Sequence, residues 1–320
     1  MPRITETRPT NISLADLDSR LLRYFLAVVR EGSIRRAGEI QNVAASAISR
    51  QISDLEARLG LPLLERLPRG VAPTEAGRAI AEHARQQIED GEQLVDYLKQ
   101  LHGLRQGAVR IACGEGFVGD LVENGIRPFM AEYPHVRLQI TLGGTEEIIS
   151  SVIEGRTDVG LAYNPPAYPG LRSLAVSKQP LCVLAAPGHP FRPAGGIPLR
   201  AVASQPAALL TPSHGIRQLL SRVEADEGFH LAVNAEAGSI DIARRLAVCG
   251  SSVTFLPLFA ATSEISGGQL LAAPLTDALL TEASAHLVVR ARRRLPIAVD
   301  EVVSRLIAGM RAFSEPDGPP

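Results

Sequence analysis

The first sixty residues carry three bursts of helix-spaced apolar positions separated by short breaks. Over residues 16–31, Leu17, Leu21, Leu22, Phe25, Leu26, Val28 and Val29 recur with a helical period that stops at Gly32. Ser33 suits the N-cap of a short second helix over 34–41, and Val43 falls in a tight turn where an apolar side chain plugs the angle between helices. A third helix over 45–59 places Ala47, Ile48, Ile52, Leu55 and Leu59 on one face. Ser46, Ser49, Arg50 and Ser53 lie on or beside the other, and Gly60 ends the run. This spacing predicts a helix-turn-helix with a polar third helix. Residues 61–74 hold two short apolar stretches around Pro68, Arg69 and Gly70, which predict a small hairpin, or wing, with arginines near its tip.

From Thr74 the pattern lengthens. Residues 74–102 contain no proline, and Ile80, Ala84, Gln87, Gly91, Leu94, Leu98 and Leu101 recur at four- and three-residue steps along one seam of a long helix. Such a stripe on an exposed helix calls for a partner along its length, so pairing with another subunit is expected over a solvated spacer. Beyond Gly107 apolar runs suited to strands fall at 108–112, 136–142, 158–163, 181–186, 207–211, 230–235, 253–257 and 286–290, with helical stretches between several of them. The alternation predicts largely parallel sheets covered by helices, in two lobes with a cleft between them. No internal sequence repeat is evident.

The expected organisation is therefore α/β overall. It comprises a flexible tail (1–15), an all-α winged helix-turn-helix (16–73), a linker helix (74–104) and a two-lobed α/β domain (105–313). The first lobe takes about 105–177 plus 278–313, the second about 178–277, and residues 314–320 form a disordered tail.

Charge sharpens this division. The chain has 320 residues and a formal net charge of −1, yet residues 20–70 hold nine arginines against five acidic residues. The basic excess coincides with the helix-turn-helix, as a phosphate-binding surface requires. The polar N-terminus lacks the apolar core of a signal peptide, and no apolar run reaches the roughly 18 residues that span a bilayer, so a cytoplasmic protein without membrane contact is expected. Three widely spaced cysteines, Cys113, Cys182 and Cys249, offer neither a zinc-type spacing nor an even count, so no metal site or disulfide framework is expected.

The motifs RYFLAVVREGS, ASAISRQISDLEARLG, PLLERLPRG and TEAG, in that order over residues 22–77, closely resemble the DNA-binding domain of LysR-type transcriptional regulators. The later chain is similar to that family more loosely, through EG-x-x-D at 154–158 and the turn around His189. The resemblance implies a DNA-binding head, a linker helix and an effector domain like the type 2 periplasmic binding proteins. It also implies dimers that pair into homotetramers on a dyad operator in double-stranded DNA, and RNA polymerase as a partner if the protein activates transcription. Carried over by position, the third helix enters the major groove with Ser46, Ser49 and Arg50 on its contact face. Arg35 and Arg36 serve the DNA backbone, and Arg66 and Arg69 sit on a wing that reaches the minor groove. Ala44 and Ala45 depart from the family's usual Ser and Gln, removing an N-cap hydroxyl and a base-reading amide. Readout then leans on the wing, on DNA shape and on half-site spacing.

In a two-lobed sheet domain a ligand sits at the C-terminal ends of strands, beside helix N-termini. Four such transitions supply candidate effector contacts: Gly114, Glu115 and Gly116; Thr145; Ser213 and His214; and Ser239. Tyr163 and Asn164 close a further strand. Small and hydroxyl-bearing residues suit close approach of a small molecule such as a carboxylate, although Glu115 is awkward for an anion. It pairs with an amine, accepts a hydroxyl or faces solvent. Each Ser or Thr also reads as a simple helix cap, and Cys113 as a redox sensor lacks a resolving partner. Gly114, Gly116 and Gly119 spell G-x-G-x-x-G, but the acid that a nicotinamide fingerprint wants at the end of the second strand is missing, as are a nucleophile elbow and H-E-x-x-H. No catalytic residue, cofactor or metal is assigned. The alternatives to a ligand-responsive regulator are a DNA-binding protein whose second domain only assembles oligomers, and a cofactor-binding enzyme.

Overall fold

The computed structural model describes residues 17–68, 70–101, 107–189, 196–291, 293 and 295–314. Arg69 and the two expected tails, apart from Ser314, lie outside the described residues. The chain divides into two units, Met1–Leu98 and Lys99–Pro320.

The first unit holds α1 (Ser19–Glu31), α2 (Ile34–Gln41), α3 (Ala45–Leu59), the hairpin β1 (Leu64–Leu67) and β2 (Gly70–Pro73), and α4 (Glu75–Leu101), which crosses the division. Each boundary has a local cause. Asp18 accepts from Arg20 N and Ser33 Oγ from Arg36 N, capping α1 and α2. Gly60, at φ 67°, lets the chain leave α3 in the left-handed conformation. Glu56, one turn before the end of α3, accepts from Leu63 N at 2.7 Å and Leu64 N at 3.0 Å and so fixes the entry to the hairpin. Thr74 Oγ1 donates to Pro62 O and accepts from Gly77 N, starting α4. The core joins Leu22, Phe25, Ile48, Ile52, Leu55 and Leu63 to Ala81 and Ala84. The first turns of α4 are thus part of the head's core, not of a free spacer. Further along, Leu94, Val95 and Leu98 are exposed. Leu101 is in the helix, but its side chain lies outside those described.

The second unit begins with β3 (Gly107–Cys113), a 3-10 turn (Glu115–Phe117), and a helical run of α5 (Val118–Asp120), a π-helical stretch (Leu121–Ile126) and α6 (Arg127–Glu132). Then come β4 (Val136–Leu142), α7 (Thr145–Ile153), β5 (Val159–Tyr163), β6 (Leu171–Lys178), β7 (Leu181–Ala185), β8 (Ala207–Leu210), α8 (Gly215–Glu227) and β9 (Val233–Ala237). The chain finishes with α9 (Ile240–Val248), β10 (Thr254–Pro257), α10 (Thr262–Ser266), β11 (Leu271–Pro274), α11 (Ala278–Thr281), β12 (Ser284–Arg290) and α12 (Ile297–Gly309).

One lobe is built on the sheet β4-β3-β5-β12-β6. In the other, β8 and β9 pair, and a parallel bridge from Ala207 to Val253 joins them to β10-β7-β11, giving the order β9-β8-β10-β7-β11. The two orders correspond strand for strand, with parallel contacts among the first three strands and antiparallel ones beyond. The fold therefore repeats where the sequence shows no repeat.

These sheets are mixed, which corrects the expectation of largely parallel pairing. The strands left unread, β6 and β11, are edge strands. β6 alternates in exposure and carries Arg172, Ser173 and Lys178, so it lacks the continuous apolar run of a strand buried on both faces. The strand expected at 230–235 starts later, at Val233; before it the buried Glu224 pairs with Arg217 and accepts from Leu231 N, which takes that N–H out of any ladder.

Two buried anchors fix the first lobe. Asp158, 3% exposed, accepts from Arg110 N (2.9 Å), Nε (3.1 Å) and Nη2 (2.8 Å) and from Arg293 Nη1 (2.7 Å). Asp120 accepts from Arg311 N and Ala312 N, and Gln179 Nε2 donates to the carbonyls of Arg311, Ala312 and Ser314. The C-terminal turn is thereby stitched to both α5 and the crossing between the lobes.

Candidate functional site

In the first unit, α3 buries Ile48, Ile52, Leu55 and Leu59 and exposes Ser46 and Arg50, with Ser49 half-buried beside them. The polar face read from the sequence is present. Val43 packs against the core from the turn between α2 and α3. Ala44 caps α3 without a side-chain hydrogen bond, leaving the first N–H groups of that helix to other acceptors. Arg36 and Arg66 are exposed. Arg35 is exposed too, but its Nε donates to Glu39 Oε1 at 3.2 Å. An exposed pair one turn apart is worth only about 0.3–0.5 kcal/mol, so a phosphate can replace Glu39 at small cost.

In the second unit, six strand ends converge. A cavity of about 50 Å³ is lined by Gly114, Glu115, Gly116 and Phe117 after β3; by Gly143, Gly144, Thr145 and Ile148 after β4; and by Tyr163 at the end of β5. The other lobe supplies His214, Gly215 and Ile216 after β8, Ile240 after β9, and Pro257, Phe259 and Ala260 at and after β10. Each lobe thus contributes its three parallel strands, the arrangement expected of a ligand cleft in such sheets.

Of the residues expected here, Gly114, Glu115, Gly116, Thr145, Tyr163 and His214 line the cavity, and Asn164, Ser213 and Ser239 do not. Asn164 takes φ 46° and donates its N–H to Ser284 O, turning the chain out of the sheet. Ser213 and His214 form a small network with Thr211, whose Oγ1 lies 3.0 Å from both Ser213 Oγ and His214 Nδ1. The Tyr163 hydroxyl is committed, donating to Gln179 O at 2.6 Å, so this residue offers the cavity its ring. Burial raises its pKa well above the ordinary tyrosine value.

Glu115 resolves its three alternatives in favour of accepting. Its Oε1 takes hydrogen bonds from Ser239 Oγ (2.6 Å) and Asp241 N (3.1 Å), and its Oε2 from Ile240 N (2.6 Å). A carboxylate from one lobe therefore caps α9 in the other. Thr145 is the first residue of α7, while Glu147 accepts from Gly144 N.

The apolar lining was missed in the sequence. The Phe259 ring lies tilted against Phe117 at 4.9 Å and Tyr163 at 6.4 Å between ring centres, and comes from a 3-10 turn, Leu258–Ala261. The available signal was the apolar LFAA directly after a strand, which reads equally well as core. A second, wider hollow of about 550 Å³ shares Glu115, Gly116, Ile240, Phe259 and Ala260 with the first. It adds Asp120, Glu123, Asp241 and Glu264 against Arg244 and Arg311.

Burial pushes the Cys113 and Cys182 thiols up to about 12, which disfavours the reactive thiolate at both. Cys249 is exposed. Titration of the folded chain with a thiol reagent is expected to show a single fast-reacting thiol that Cys249→Ser abolishes; a fast thiol surviving in that variant contradicts the burial of the other two. Among the described residues no group of three His, Cys, Asp or Glu side chains is placed to hold a metal ion, and no helix is long and apolar enough to cross a membrane.

Residues 19–78 match the family model for bacterial regulatory helix-turn-helix proteins of the lysR family, and residues 102–311 match that for the LysR substrate binding domain. A curated relative, the SDS degradation transcriptional activation protein of a Pseudomonas strain, is 29% identical, with 88% of this chain and 93% of the relative covered. A full-length OxyR variant from Pseudomonas aeruginosa shares the fold at a TM-score of 0.69 and 19% identity, covering 92% of this chain and 96% of that one. Full-length CbnR, solved in complex with its target DNA, does so at 0.52 and 21%, covering 91% and 99%. The relatives are transcription regulators, not enzymes. With a helix-turn-helix head, a two-lobed sheet domain and both family models matched along its length, this chain belongs to the LysR family of transcriptional regulators.

Proposed function

We propose that this chain is a ligand-responsive regulator that reads a dyad operator through α3 and takes a small-molecule effector between the lobes of its second unit. The observation that carries the reading is the convergence of six strand ends, three from each lobe, on one cavity. In this reading α3 lies in the major groove with Ser46, Ser49 and Arg50 toward the bases. Arg35 and Arg36 meet phosphates, and Arg66 and Arg69 sit on the wing. The uncapped start of α3 adds backbone N–H groups suited to a phosphate. The exposed Leu94, Val95 and Leu98 of α4 pair with a second copy, and dimers join into tetramers. In this reading the protein works in the cytoplasm, with RNA polymerase as a further partner if it activates.

The effector's leverage is thermodynamic: it shifts the lobes only by binding one arrangement better than another. Gly114, Glu115, Gly116, Thr145 and the Tyr163 ring would meet the effector from one lobe and His214 from the other; Ser213 and Ser239 act behind them through Thr211 and Glu115.

Footprinting of the full chain on the DNA flanking its own gene is expected to show a protected dyad. Arg50→Ala should lose about ten- to a hundredfold in operator affinity, while its affinity for unrelated DNA falls much less. An Arg50→Ala protein with undiminished sequence preference removes that residue from readout. A broad thermal-shift panel with no stabilising compound favours the assembly-only alternative.

A further inference from the structure

We infer that Glu115 is a built-in substitute for a ligand carboxylate, which makes the cleft select a small molecule bearing a hydrogen-bond donor and an apolar body, and reject free carboxylates. The inference rests on the cleft being the effector site and names the class of effector it takes. Three donors surround the Glu115 carboxylate: one hydroxyl and two N–H groups at the start of the nine-residue helix α9. That is the coordination a ligand carboxylate would seek there, and the helix dipole adds to it. The intramolecular group competes at an effective concentration of at least about the millimolar range.

Glu115 also repels. A second carboxylate within about 5 Å of it, at an effective dielectric near 20, loses about three hundredfold or more in affinity. An ionised carboxylate accepts about four hydrogen bonds, so one lone pair of Oε2 remains for a donor from the ligand, an ammonium, amide or hydroxyl. Apart from Thr145 and His214, the walls of the smaller cavity are mainly apolar, with Phe117, Ile148, Ile240 and Phe259 among them. A cavity of about 50 Å³ is far below the roughly 300 Å³ of an ordinary ligand pocket. Because Glu115 lines the 550 Å³ hollow as well, a ligand longer than a few atoms passes it from one hollow into the other.

Propionate, a carboxylate with a minimal apolar body, is the probe, with sodium chloride of equal ionic strength as control. In the full chain, Glu115→Ala is expected to lower Tm by about 4 °C. Tens of millimolar propionate should restore at least half of that loss in a saturable way, while the wild type shifts by less than about 1 °C. A wild type stabilised as strongly as the variant, or a variant that keeps its Tm or ignores propionate, overturns the inference. Should Glu115→Ala stay insoluble even with propionate, Glu115→Gln decides. A loss of about 2 °C or more supports the anion's role, and a Tm within about 1 °C of wild type overturns it. The effector reading fails by a different result: an effector whose binding is unchanged in Ala260→Phe, which fills the cavity, lies elsewhere, whatever propionate does at α9.

Discussion

Asp158→Ala is expected to lower the Tm of the second unit by about 10 °C. The side chain is 3% exposed and takes four hydrogen bonds, three from Arg110 and one from Arg293, whose own side chain is 5% exposed. Removing the acceptor of four hydrogen bonds at the centre of this charge cluster costs about 3–5 kcal/mol, at roughly 2–4 °C per kcal/mol in a unit of this size. Burial alone would raise the Asp158 carboxyl. The hydrogen bonds and charge of Arg110, then the charge of Arg293, outweigh it and hold the carboxyl below the ordinary carboxylate range.

A carboxyl with a lowered folded-state pKa contributes stability that is complete above its unfolded value, near 4, and is lost as pH falls through the folded value. The gap in Tm between wild type and Asp158→Asn should therefore be widest above about pH 5 and narrow steadily in more acid solution. Calorimetry of both proteins across that range checks it. A gap that stays constant down to about pH 2 means that charge is not what the aspartate contributes.

The difference between Asp158 and Phe259 shows what was legible in the sequence. Asp158 was visible only as the end of the EG-x-x-D motif that the family resemblance picks out. Its partners, 48 and 135 residues away along the chain, were not visible. The three helices of the head were readable nearly to the residue because caps, periodicity and Gly60 are all local signals. The cavity between the lobes was half readable. Its glycines and hydroxyls follow strands and so announce themselves, whereas Ile148, Ile216, Ile240 and Phe259 look like any core residue until the lobes bring them together. The antiparallel direction of β12 escaped for the same reason: it pairs with β5 from more than a hundred residues away, and local pattern carries no direction. Glu115 is the instructive case. Its oddness beside glycines was plain, but only its meeting with Ser239 and Ile240 gives that oddness a function.

Gly38→Ala should weaken operator binding by about ten- to a hundredfold while leaving the second unit unaffected. Gly38 lies in α2 at the point where the turn brings α3 against it. A Cβ there would stand 2.7 Å from Val43 O and 3.3 Å from Ala45 N, both backbone atoms that cannot rotate away. The same glycine accepts from Val43 N at 3.0 Å, so the turn cannot relax without losing that bond. Overpacking of this kind costs about 1–3 kcal/mol. The strain falls on the first residues of α3, which carry Ser46, Ser49 and Arg50, so it is relieved by displacing the helix that the head presents to DNA. A displacement near 1 Å is enough to misalign a bidentate base contact, worth about 1–3 kcal/mol of discrimination. The phosphate contacts proposed for Arg35, Arg36 and Arg66 would tolerate such a shift, so affinity for unrelated DNA and its salt dependence should change little. Fluorescence anisotropy on operator and unrelated duplexes at one salt concentration separates the two effects, and circular dichroism confirms that the head remains helical. Equal losses on both duplexes would place the damage in the whole head, and an unchanged operator affinity would show that the approach of α2 to α3 does not set the position of the reading helix.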